Sequence, residues 1–115
     1  MYARAKKQRE QEIDSRIHII HQAIANKVLA APHYLKQARD TLEKRYAEGL
    51  IRYGSYLLWD SILLQAESSP ETFKALLLAQ DKRTASLRRH TIFTGVLTES
   101  EREHALAANA TSGND

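Results

Sequence analysis

Apolar residues recur every three or four positions along most of this chain. Ile13, Ile17, Ile20, Ile24 and Val28 form one such stripe, which predicts a first helix starting near Asp14. Pro32 ends it, because the residue before a proline is pushed out of the helical region. The same proline suits the first turn of a second helix, whose Tyr34, Leu35, Ala38, Leu42 and Tyr46 share one side and which stops at Gly49. A third helix, residues 51–65, is apolar nearly all round, as the buried centre of a bundle normally is.

Start signals mark the rest. Ser69-Pro70-Glu71 combines an N-cap, a proline at the first helical position and an acid that favours the helix dipole. It opens a fourth helix through Phe73, Leu76 and Leu77 to about Ala79. Asp81 is placed to cap a fifth, running through Leu87 to about His90, and Thr98 with Glu101 forms the capping box of a short sixth. Residues 1–12 are polar, basic and without an apolar face, and read as a frayed helical extension or a disordered arm. Residues 107–115 are small and polar and read as a disordered tail. No segment alternates with strand period. The expected fold is therefore all-α: a compact bundle of five or six short helices around the central apolar helix, one domain over residues 13–106.

Composition narrows the class. With 115 residues, 43% of them hydrophobic and 27% charged, the chain suits one globular domain rather than a disordered segment. It has no cysteine, which removes disulfides, thiolate metal sites and cysteine nucleophiles and fits a reducing, cytoplasmic setting. Its apolar runs are far too short to span a membrane, and its basic start leads into no secretory signal. The net charge of +3 is unevenly spread. No acid occurs over residues 16–39, which hold Arg16, Lys27, Lys36 and Arg39, nor over 82–90, which hold Lys82, Arg83, Arg88 and Arg89. Basic surfaces attract phosphates and acidic proteins alike, so charge leaves both partners open.

Candidate chemistry is sparse. Asp14, His18 and His21 fall on one flank of the first helix, as a divalent metal site requires, but the set is incomplete and more simply borders the isoleucine face. Tyr46, Tyr53, Tyr56 and Trp59 have the ring chemistry of a base-stacking platform, although their apolar setting points to core. Asp60 interrupts that same helix, either on its exposed side or paired with a cation of a neighbour. No nucleophile elbow, phosphate loop or dinucleotide fingerprint is present, and His90 and His104 stand isolated. The expectation is a protein that is no enzyme and holds no metal or cofactor.

Residues 87–102, LRRHTIFTGVLTESER, are the most unusual stretch. An apolar loop hinged on Gly95 either plugs the end of a bundle or docks a partner. In the docking case Phe93 is the anchor, and Arg88 and Arg89 are charge-assisted donors. The partner-binding candidates are thus Arg88, Arg89, Phe93 and Gly95.

The chain resembles a small, uncharacterised bacterial all-helical family. The elements that carry the resemblance are the run IHIIHQAIANKVLAAP over residues 17–32, Trp59-Asp60-Ser61-Ile62-Leu63, Leu87-Arg88, Phe93, Gly95-Val96-Leu97-Thr98 and Glu101-Arg102. Ile92 stands where a proline is expected in that pattern. The resemblance spans residues 17–106 and implies no activity. It implies a gene setting beside toxin–antitoxin or mobile elements. The resulting expectation is a non-catalytic protein-interaction or regulatory module with a protein partner, such as the neutralising member of a toxin–antitoxin-like pair. A homo-oligomer is compatible with it. The alternative is a nucleic-acid-binding protein using the basic segments 16–39 and 82–90; its only candidate reading helix, residues 81–90, lacks the usual glycine in the preceding turn.

Overall fold

The computed structural model describes residues 2–113, and the side chains of 8–109. Six α-helices and no strand occur among the described residues: α1 (Tyr2–Ala30), α2 (His33–Ala47), α3 (Tyr53–Ser68), α4 (Pro70–Leu77), α5 (Lys82–Arg89) and α6 (Glu99–Gly113). None is long and apolar enough to cross a membrane.

The start signals act as their chemistry dictates. Ser69 Oγ accepts from Thr72 N at 3.3 Å, and Asp81 Oδ2 accepts from Thr84 N at 3.1 Å. Glu101 N donates to Thr98 Oγ1 while Thr98 N donates to Glu101 Oε1, which closes the capping box. At the end of α2, Gly49 takes φ +74°. Leu50 N then reaches Arg45 O and Gly49 N reaches Tyr46 O, the paired bonds of a Schellman stop.

Both chain ends are helical further out than the apolar stripes reach. α1 starts at Tyr2, the helical of the two readings of residues 1–12, and α6 continues through the segment 107–113 read as tail. The first extension is rich in alanine, lysine, arginine, glutamine and glutamate and the start of the second in alanine, whose helix propensity acts without any apolar face.

α1 packs against α2, α4, α5 and α6, while α3 lies between α2 and α4. Their shared core contains Ile24, Ala25 and Val28 from α1, Ala38 and Leu42 from α2, and Trp59, Ile62, Leu63 and Ala66 from α3. Phe73 and Leu77 of α4, Leu87 of α5, and Ile92, Phe93 and Val96 of the following loop complete it. Phe93 meets Trp59 and Phe73 edge to face, with ring centroids 5.9 and 6.5 Å away.

Candidate functional site

The residues that looked most functional in the sequence lie inside the protein. Arg88 is 3% exposed and Phe93 2%. Arg88 Nη1 donates to the carbonyls of Leu77 and Ala79, at 2.8 and 2.7 Å, and so ties α5 to the otherwise open end of α4. Burial pulls its pKa below the ordinary guanidinium value, and its Nε has no partner. Arg89 forms a two-bond pair with Asp14 across to α1, both distances 2.7 Å, and that bond holds the Asp14 carboxyl below the usual range. Gly95 is exposed at φ +79°, the left-handed turn the loop needs. The docking surface expected of Arg88, Arg89, Phe93 and Gly95 is therefore corrected. Two of the four are enclosed, a third is bonded to Asp14, and the loop is a plug.

Side chains of α1 and α2 pin that plug. His21 donates from Nδ1 to Ile17 O at 2.8 Å and accepts at Nε2 from the Thr91 hydroxyl at 2.8 Å, so the imidazole is the neutral Nδ1–H form. Burial drives its pKa down to about 4. Arg45 Nη1 donates to Thr91 O at 2.8 Å, and Lys27 Nζ donates to both Val96 O and Glu101 Oε1 at 2.6 Å. The Lys27 bond brings the Glu101 carboxyl down to about 2.

The metal triplet is likewise dispersed. His18 donates to Leu78 O at 2.9 Å, His21 serves Thr91, and Asp14 is held by Arg89. No group of three or more metal-ligating side chains converges among the described residues. Asp14, His18 and Arg88 do line an open cleft of about 700 Å³ with Gln11, Ser15 and Gln22, but both Asp14 and His18 are committed to the bonds just given. The acid-free segments lose half of their eight cations in the same way: Lys27, Arg39, Arg88 and Arg89 are bonded within the fold, and Arg16, Lys36, Lys82 and Arg83 stay exposed.

The surface feature that sequence reasoning missed lies on α3. One side of this helix enters the core as expected, but the opposite side is uncovered. Tyr53, Leu57 and Leu64 lie on that outer side at 61%, 43% and 61% exposure, with Gly54, Ser61 and Ser68 beside them. Leu50, 71% exposed, stands just before the helix. Tyr46 of α2 extends the apolar area, stacked on Tyr56 at 4.4 Å and 6.2 Å from the Tyr53 ring. The expectation that Tyr46, Tyr53, Tyr56 and Trp59 are core is thus met by Trp59 and in part by Tyr56, but not by Tyr46 or Tyr53. Asp60 sits at the border of this face and pairs with Arg39 of α2 at 2.7 Å, which settles its role as an α2–α3 clamp. Tyr56 closes the same edge by donating to Glu43 Oε1 at 2.5 Å.

The two ends of the outer face differ in charge. At its start stand Arg52 and Arg83, the latter with Nη2 4.0 Å from where a Cβ on Gly54 would lie, and the first turn of α3 holds no acid. At its end stand Glu67 and, in the first turn of α4, Glu71. All four are exposed, and none is in a salt bridge among the described residues. Comparison with protein-family models, curated proteins and solved structures finds no match to this chain.

Proposed function

We propose that this protein is a non-catalytic interaction module whose docking surface is the outer face of α3. The observation that carries this reading is the row of Tyr53, Leu57 and Leu64 in solvent on a helix that is apolar nearly all round. Leaving such a row in water forgoes roughly 1.5–3 kcal/mol for each large side chain that a partner would cover. Leu57 and Leu64 are seven residues apart, as are Gly54, Ser61 and Ser68. That spacing matches an amphipathic helix laid along α3, with leucines filling holes and small residues permitting close approach. The neutralising role in a toxin–antitoxin-like pair is one setting for such a face; it is suggested by the resemblance, not by this geometry. The nucleic-acid reading is weakened, because four of its eight cations are already bonded within the fold.

The test is capture from the source cell's lysate with wild type and with Leu57→Glu/Leu64→Glu. Both side chains are exposed, so the double variant keeps its melting curve. Under the proposal it loses what wild type retains, and wild-type retention survives added salt, unlike a phosphate-driven contact. Equal capture by the two proteins defeats the reading.

A further inference from the structure

The outer face of α3 carries the complement of each of its own features, and we infer that its occupant is a second copy of this chain, with the two α3 helices packed antiparallel. This rests on the reading of the face as a docking surface and names what docks there.

Direction follows from charge. The face is basic at its start, with Arg52 and Arg83, and acidic at its end, with Glu67 and Glu71. Parallel pairing would set like charges together; antiparallel pairing sets Arg52 and Arg83 of each copy against Glu67 and Glu71 of the other. The helix dipoles favour the same direction. These four residues make no salt bridge among the described residues, whereas Asp14, Asp60 and Glu101 are each paired.

Register follows from shape. A two-fold axis passing close to Ser61 brings Leu57 opposite Leu64 of the second copy and Tyr53 opposite its Ser68. Large thus meets large across the centre, and the bulky tyrosine meets a serine. The pairing is isologous, the commonest closed arrangement of soluble oligomers. α3 is 16 residues long, about 24 Å of helix, and Leu50 and Tyr46 widen the apolar area at its start.

The chain has no cysteine, so one introduced thiol reports on one position. Under mild oxidation Ser61→Cys links into a covalent dimer, because its copies meet near the axis. Ser68→Cys does not, because its copies lie at opposite ends. A parallel pair would link both, and no pair would link neither; either result overturns the inference. Sedimentation adds a measurement without new cysteines, with wild type shifting from monomer to dimer over a series reaching about 0.1 mM. Glu67→Lys and Arg52→Glu each weaken the dimer by about tenfold, and the two together restore it. Failure of the double variant to restore association overturns the proposed register. A wild type that stays monomeric, while lysate capture still depends on Leu57 and Leu64, rejects the second copy and leaves the docking face standing. Capture indifferent to those leucines rejects the face itself.

Discussion

Around the loop at residues 90–98, charged and polar side chains are buried or half-buried and bonded; along the outer face of α3, leucines and a tyrosine lie in solvent. Lys27, Arg45 and Arg88 each donate to a backbone carbonyl of a loop or helix end, and His21 holds the loop through the Thr91 hydroxyl. Their work is internal, and removing them affects folding. The α3 face shows the reverse imbalance, apolar area with nothing over it, and changing it affects association. A polar residue marks a functional surface only when its partners are missing. An apolar residue marks one only when its cover is.

The sharpest break between the two regions is at Phe93. It contacts Trp59, Phe73 and His21 edge-on inside the core. Phe93→Ala is expected to cost about 3–5 kcal/mol in chemical denaturation. A loss below about 1 kcal/mol would return the loop to the surface and undo its description as a plug.

Acid tests the same region through His21. Its folded pKa of about 4 lies below the ordinary 6.5, so the unfolded chain binds the proton first as pH falls. The contribution of the neutral imidazole is therefore fully present above pH 6.5 and is lost as pH drops towards 4. At about 1.4 kcal/mol per unit, the loss is of order 3 kcal/mol. His21→Gln is expected to start less stable and to show a flatter profile across that window, read by urea unfolding at successive pH values. An equally steep profile in the variant would assign the acid sensitivity elsewhere.

These two residues also show what the chain reveals unaided. Helix number, the caps at Ser69, Asp81 and Thr98, and the stop at Gly49 were legible, because each is a local bond between near neighbours in sequence. The burial of Arg88 was not legible. Its partners, Leu77 O and Ala79 O, are backbone atoms at the end of another helix, and no side chain in the sequence announces them. Asp14 and Arg89 pair across 75 positions, and periodicity carries no information at that range. The exposed side of α3 was hidden for a different reason. A helix apolar on all sides has no polar flank to say which side faces out, and only the placement of α2 and α4 decides it.

Arg89 is predicted to matter less than its neighbour suggests. Its guanidinium is 42% exposed and its pair with Asp14 is largely in solvent. Arg89→Ala should leave the unfolding curve close to that of wild type, the more so in added salt. A loss comparable to that of Phe93→Ala would mean that the α1–α5 contact depends on this pair rather than on Leu87 and the core.

The smallest effect is expected one residue away from a large one. Leu63 and Leu64 are adjacent and chemically identical, but Leu63 is 7% exposed against the core and Leu64 is 61% exposed on the outer face. Leu63→Ala removes packed methyl groups and is expected to cost about 2–5 kcal/mol. Leu64→Ala removes groups already in water and should shift unfolding by less than about 0.5 kcal/mol, provided the protein is dilute enough to be monomeric. Concentration separates the two further. If α3 pairs with α3, the wild-type melting temperature rises with protein concentration, since association stabilises only the folded chain. Leu64→Ala would flatten that rise, while Leu63→Ala would lower the whole curve and leave its slope. A Leu64→Ala protein as unstable as Leu63→Ala at high dilution would place Leu64 in the core and remove the surface on which the docking reading depends.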